Sequence, residues 1–134
     1  MYEAIVARYL KRLQEVLGQP PKNFADDSSD DVPRKPGVYV IYDKKSQQIT
    51  YAGRTKNLRR RLLGDHRRGN IEGSQFRKAL GQSLGTSSEK EIRKYIEENC
   101  SFRFFVVETF EEMVRLEHFV TAVIAPTLNV QLKQ

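Results

Sequence analysis

Residues 37–66, GVYVIYDKKSQQITYAGRTKNLRRRLLGDH, decide the reading of this chain. Val38, Val40 and Tyr42 alternate with Tyr39, Ile41 and Asp43, the period of a β-strand. Lys44-Lys45-Ser46-Gln47 is polar turn chemistry, and Gln48–Tyr51 reads as the returning strand of a hairpin, ended by Gly53. The spacing then changes to helical over 56–68. Leu58 and Leu62 supply a buried side, Arg61 stands beside it at i+3 from Leu58, and Arg59-Arg60-Arg61 suits phosphate. The stretch thus joins two glycine-flanked tyrosines to a cationic helix.

Working outward, charge is concentrated around that helix. The chain carries +6 in all, yet Arg54–Lys78 contains nine Arg/Lys against Asp65 and Glu72, so this segment alone is +7 and the remainder about −1. Such a block is either the footprint of a polyanionic partner or a solvated helix face. Upstream, Ile5, Val6, Tyr9, Leu10, Leu13, Val16 and Leu17 form one stripe of an amphipathic helix over 3–17, stopped by Gly18 and Pro20-Pro21. That stripe calls for burial on the domain's own core or on a partner chain. Residues 19–36 hold four of the five prolines with Asp26, Asp27, Asp30 and Asp31. They read as an acidic surface linker, with Phe24 and Val32 tacked to the core. An EF-hand is excluded because the glycine and terminal glutamate are missing.

Downstream, Ser74 opens a short helix, and Ser88-Glu89-Lys90-Glu91 is a capping box for a helix to Asn99. Ser101–Glu108 is a strand rich in aromatic and β-branched residues. Thr109-Phe110-Glu111-Glu112 is a second capping box, opening an apolar helix that Pro126 terminates, and Thr127–Leu132 is an extended tail. The pattern predicts an α+β fold: a small, mostly antiparallel three-stranded sheet flanked by helices, with an extra N-terminal helix. Two regions follow, 1–36 as helix and linker and 37–134 as the functional domain.

At 134 residues, 39% hydrophobic and 30% charged, the composition is that of a globular domain. No apolar run reaches the roughly 20 residues that span a bilayer, and the N-terminus lacks a signal-peptide core, so a cytoplasmic protein without membrane contact is expected. One cysteine and two histidines exclude an internal disulfide and a multi-ligand zinc site.

Glu117 is the anomaly of the last helix. It lies on the apolar side, i+4 from Met113 and i−3 from Val120, where a carboxylate needs a partner, either an arginine or a divalent cation. Here the motifs speak together. Gly37-Val38-Tyr39 is followed after eleven residues by Tyr51-Ala52-Gly53; Arg61 stands ten residues beyond Tyr51; Leu116-Glu117-His118 precedes Pro126-Thr127-Leu128-Asn129. This set resembles the GIY-YIG nuclease superfamily, which has excision-repair, homing and restriction endonucleases among its members, and spans about residues 37–130.

The resemblance implies a GIY-YIG fold and a metal-dependent DNA endonuclease that cuts phosphodiesters by tyrosine-assisted attack of water. It implies Mg²⁺ or Mn²⁺ on Glu117 as its one protein carboxylate, Tyr39 activating the water, Tyr51 on the phosphate or supporting Tyr39, Arg61 clamping a phosphate oxygen, and Asn129 bracing the site. DNA is the implied partner, with Gly53, Arg54, Lys56, Arg60, Arg67, Arg68, Arg77 and Lys78 along its backbone. Two positions depart from the pattern. Arg54 replaces the usual lysine or serine and cannot accept a proton. The family's His or Tyr four residues after the arginine is Asp65 here, and His66 comes fifth. The expectation is that the helix ends or bulges near Gly64 so that His66 keeps the catalytic place. The competing functions are a nucleic-acid-binding module on the same fold with little or no cleavage, and an interaction protein that pairs with a second copy or another protein through its N-terminal helix.

Overall fold

In the computed structural model, which describes residues 1–26 and 31–129, the element order is α1 (Glu3–Leu17), β1 (Lys22–Asn23), β2 (Gly37–Asp43), β3 (Gln48–Thr55), a π-helix (Arg60–His66), α2 (Gln75–Leu84), α3 (Glu89–Asn99), β4 (Cys100–Val106) and α4 (Phe110–Ile124). The strands form one antiparallel sheet in the order β1-β4-β2-β3. The hairpin, the central β2 and the flanking helices agree with the α+β expectation.

Two strand assignments change. The stretch read as linker supplies β1, with Lys22 opposite Phe102 and Asn23 opposite Ser101. The sheet therefore has a short fourth strand, which covers an otherwise unpaired edge of β4. Phe24 and Val32 from the same stretch are fully buried. β3 does not end at Gly53 but runs to Thr55, because β2 pairs with it along its whole length, from Gly37 opposite Thr55 to Asp43 opposite Gln48. A bulge shifts the register between Ile41 and Tyr42: Tyr51 faces Ile41 and Ile49 faces Tyr42, which leaves Thr50 as the extra residue.

Strand alternation divides the core. Tyr39 and Ile41 pack on one face with Leu58, Leu62, Phe76 and Ile92. Val38, Val40 and Ala52 pack on the other with Leu13, Val16, Leu116 and Val120. α1 lies on this second face, its Tyr9 ring 5.7 Å from that of Phe119 on α4. Only Tyr9, Leu13 and Val16 of its stripe are buried, while Ile5, Val6, Leu10 and Leu17 remain 37–51% exposed. Ser88 caps α3 by accepting from the Glu91 N–H at 3.3 Å. Thr109 makes no such side-chain bond at the start of α4. The chain leaves α4 through Ala125 at φ 50°, just before Pro126. Among the described residues, no helix is long and apolar enough to cross a membrane.

Candidate active site

The site forms at the edge of the sheet, where both faces can be reached. β3 is an edge strand. Tyr51, opposite Ile41, shares the face of Tyr39, whereas Arg54, opposite Val38, shares the face of α4. Tyr39 lies opposite Gly53. A Cβ on Gly53 would stand 2.5 Å from the Tyr39 hydroxyl, so this glycine serves close approach and not a strand-ending turn. The two tyrosine rings stack at 6.4 Å between centroids.

The helix that follows is wound unusually. After Leu58 it passes into the π form over Arg60–His66 and runs through Gly64 without ending there. The Arg67 N–H donates to the Leu62 carbonyl, five residues back, at 3.2 Å. A π turn takes in one more residue than an α turn. The residue five beyond Arg61 thereby reaches the tyrosines, and Asp65 instead pairs with Arg61 at 3.4 Å. His66 is 1% exposed, with Nε2 2.7 Å from the Tyr39 hydroxyl and Nδ1 2.7 Å from Ser74 Oγ. Ser74 also caps α2, accepting from the Arg77 N–H at 3.1 Å. Its sequence context indicates the cap only; nothing there signals the contact with His66.

Burial governs the protonation of these groups. It pushes the Tyr39 hydroxyl well above its ordinary value, helped by Tyr51, Glu117 and Asp65 and opposed by Arg61. Tyr51 is raised by burial and Glu117, again against Arg61. Burial, followed by the charges of Arg61 and Arg77, lowers His66 to about 3, so its ring is neutral at physiological pH.

Glu117 comes to the cleft from α4. It is 6% exposed, with Oε1 3.2 Å from Arg54 Nη1 and Oε2 accepting from Thr121 Oγ at 3.5 Å. Asn129 binds backbone only: its Oδ1 accepts from the Ala52 N–H at 2.9 Å and its Nδ2 donates to the Ala52 carbonyl at 2.8 Å. Together with the bond from the Leu128 N–H to the Thr50 carbonyl, at 2.8 Å, it staples the tail to β3 at Thr50 and Ala52, on either side of Tyr51. The rest of the expected tail, residues 130–132, lies outside the described residues.

Tyr39, Tyr51, Arg61, His66, Glu117 and Asn129 all line one cleft of about 350 Å³, joined by Gly53 and Arg54. The other expected nucleic-acid contacts lie outside this cleft. Lys56, Arg60, Arg68 and Lys78 are exposed, but Lys78 lies in a separate depression beside Gly81 and Gly85. Arg77 is a correction. It is 1% exposed, and its guanidinium donates to the carbonyls of His66, Arg67 and Glu89 and to the Glu89 carboxylate at 3.0–3.1 Å. It ties the end of the π-helix to α3 and has no surface for a phosphate. Arg67 is also buried, 7% exposed, beside Glu97 at 3.7 Å.

The donor set can be tested against a metal. Among the described residues there is no group of three or more His, Cys, Asp or Glu that could hold an ion. A site made by protein ligands alone is therefore not built here. A single carboxylate ligand facing a polar cleft suits Mg²⁺, which keeps several waters and shares its remaining positions with substrate phosphate. Glu117 provides that carboxylate.

A family model described as the GIY-YIG catalytic domain matches residues 35–120. No curated protein sequence matches the chain. Among solved structures, the chain is similar to the GIY-YIG N-terminal endonuclease domain of UvrC from Thermotoga maritima bound to its catalytic divalent cation, magnesium. The identity is 23%, covering 78% of this chain and 99% of that one, with a TM-score of 0.45. Two tyrosine-to-phenylalanine variants of the same domain match at 23% and 22% identity, covering 78% of this chain and 98% and 99% of theirs, each with a TM-score of 0.45.

Proposed function

The chain belongs to the GIY-YIG family, and on that premise we propose that it is a metal-dependent endonuclease that hydrolyses DNA phosphodiesters by attack of a water activated at Tyr39. The observation that supports this most is the meeting of Glu117, from one face of the sheet, with Tyr39, Tyr51 and Arg61, from the other, around one cleft. A Mg²⁺ or Mn²⁺ bound at Glu117 would supply Lewis-acid stabilisation of charge on the scissile phosphate and its leaving oxygen.

The residues divide the remaining work. Arg61 clamps a non-bridging phosphate oxygen, and Tyr51 donates a hydrogen bond to the phosphate. Arg54, whose side chain is 36% exposed, can exchange Glu117 for a phosphate oxygen. Asn129 holds the strand that carries Tyr51 and Gly53, through one bond at each end of its amide.

Proton movement runs through His66. A phenol with a raised pKa needs an acceptor, yet an imidazole lowered to about 3 does not store a proton. Ser74 resolves this. As the Tyr39 proton passes to Nε2, the Nδ1 proton passes to Ser74 Oγ, and the Ser74 hydroxyl proton leaves to cleft water. His66 ends neutral in its other tautomer, Ser74 ends neutral, and Tyr39 becomes the phenolate that takes a proton from the attacking water.

The Arg54–Glu117 pair favours the competing reading of a binding module without cleavage. Plasmid DNA incubated with Mg²⁺ or Mn²⁺ separates the two. Nicking that stops with EDTA and with Glu117→Gln supports the nuclease. Retardation of DNA with no cleavage in either metal supports the binding module.

A further inference from the structure

Three clefts adjoin along the π-helix. The middle one, about 390 Å³, shares Arg54 and Arg61 with the catalytic cleft, and shares Asn57 and Arg60 with an outer cleft of about 310 Å³. Arg34, Arg59, Arg60, Arg67 and Arg68 wall the outer cleft, and no carboxylate lines it among the described residues. That described lining carries +5, whereas in the catalytic cleft Arg54 and Arg61 balance Glu72 and Glu117. Like charges gathered in one concavity attract a polyanion strongly and repel one another without it.

Arg67 sharpens this. Its Nε and Nη1 are buried without a hydrogen-bond partner among the described residues. Glu97 lies 3.7 Å from Nε, beyond hydrogen-bond length, and the same carboxylate oxygen is already engaged by Arg93 at 2.7 Å. A buried guanidinium with unmade bonds is costly. It keeps positive charge at the floor of a cleft whose rim, Arg34 and Arg68, is exposed. Arg59 is anchored there through its Nε, which donates to the Val32 carbonyl at 2.7 Å.

We propose that the outer cleft is a second phosphate subsite: it takes a backbone phosphate of the strand being cut, displaced from the scissile phosphate and reached along Arg61 and Arg60. The proposal rests on the nuclease reading above and adds to it a required length of strand on one side of the cut. It also assigns Arg34, from the stretch before the hairpin, to substrate binding.

Interference mapping tests it. Glu117→Gln protein is titrated with labelled DNA oligonucleotides in which one phosphate at a time is replaced by an uncharged methylphosphonate. Two separated positions should weaken binding, one at the cut mapped with unmodified protein and one away from it. Adding Arg34→Gln and Arg68→Gln, both on exposed side chains, should abolish only the distant interference. It should also flatten the slope of log K against log salt by about 1–2, the share of two phosphate-facing charges. Interference at the cut alone, or a footprint and slope unchanged by the two substitutions, overturns the subsite and leaves the nuclease reading standing. Inorganic phosphate binding that the substitutions remove without altering the DNA footprint marks a free-anion site and also overturns it. Absence of DNA binding by the Glu117→Gln protein overturns the subsite and the nuclease reading together.

Discussion

Replacing His66 by glutamine should make the protein less sensitive to acid, although it removes a buried hydrogen-bonding group. Folded His66 titrates near 3, whereas an unfolded histidine titrates near 6.5. A lowered folded value means that the unfolded chain binds a proton that the folded one refuses. Above about pH 6.5 both states are neutral and His66 adds no pH dependence. Between about 6.5 and 3, stability falls as pH falls, at about 1.4 kcal/mol per pH unit. From pH 7.5 to pH 5 this amounts to about 2 kcal/mol, rising to about 3 kcal/mol at pH 4. Glutamine is uncharged throughout this range. Urea midpoints measured at half-unit intervals from pH 7.5 to 4.5 should therefore give a His66→Gln curve flatter than that of the unmodified protein by this amount, the contribution of carboxylates being common to both. Parallel curves would refute the reasoning, as would an imidazole that titrates by NMR near 6.5.

Gly53→Ala should push the Tyr39 hydroxyl off His66, since the new methyl would stand 2.5 Å from it; a loss of about 1–3 kcal/mol by thermal unfolding should accompany a fall in cleavage rate larger than the fall in DNA affinity. Asn129→Ala leaves the N–H and carbonyl of Ala52 without their partner, a cost of about 1–3 kcal/mol in urea unfolding, and should loosen Tyr51 enough to slow cleavage at saturating DNA. Arg77→Met should cost at least about 1–3 kcal/mol by freeing the carbonyls it binds, while DNA affinity per folded molecule, measured by retardation against circular dichroism, stays unchanged. Ser74→Ala should lower the rate with little change in DNA affinity and shift the His66 tautomer read from nitrogen chemical shifts.

What could be read from the amino acids depended on how local the signal was. The hairpin, the terminating Pro126 and the misplaced Glu117 announce themselves within a few residues. Gly53 resembles a strand end in the linear sequence, but its reason lies across the sheet, in the space taken by the Tyr39 hydroxyl. Arg67 and Arg77 look like surface cations in any linear reading. Their burial follows from the carbonyls at the end of the π-helix and from the carboxylates of α3, which meet only in the fold. β1 is two residues long and carries no periodicity, so pairing with β4 alone defines it. Ser74 was recognisable as a cap, but its second bond needs the coordinates of His66.

The π segment bears on how relatives of this chain are compared. Counting from Arg61 as if the helix were regular would assign the partner of Tyr39 to Asp65 and conclude that the imidazole had been lost. Here an additional amino acid is absorbed by the winding, and the imidazole five places on from Arg61 meets the Tyr39 hydroxyl. Columns in this region should be matched by reach to the phenol, with a gap opened inside the helix where the count demands one.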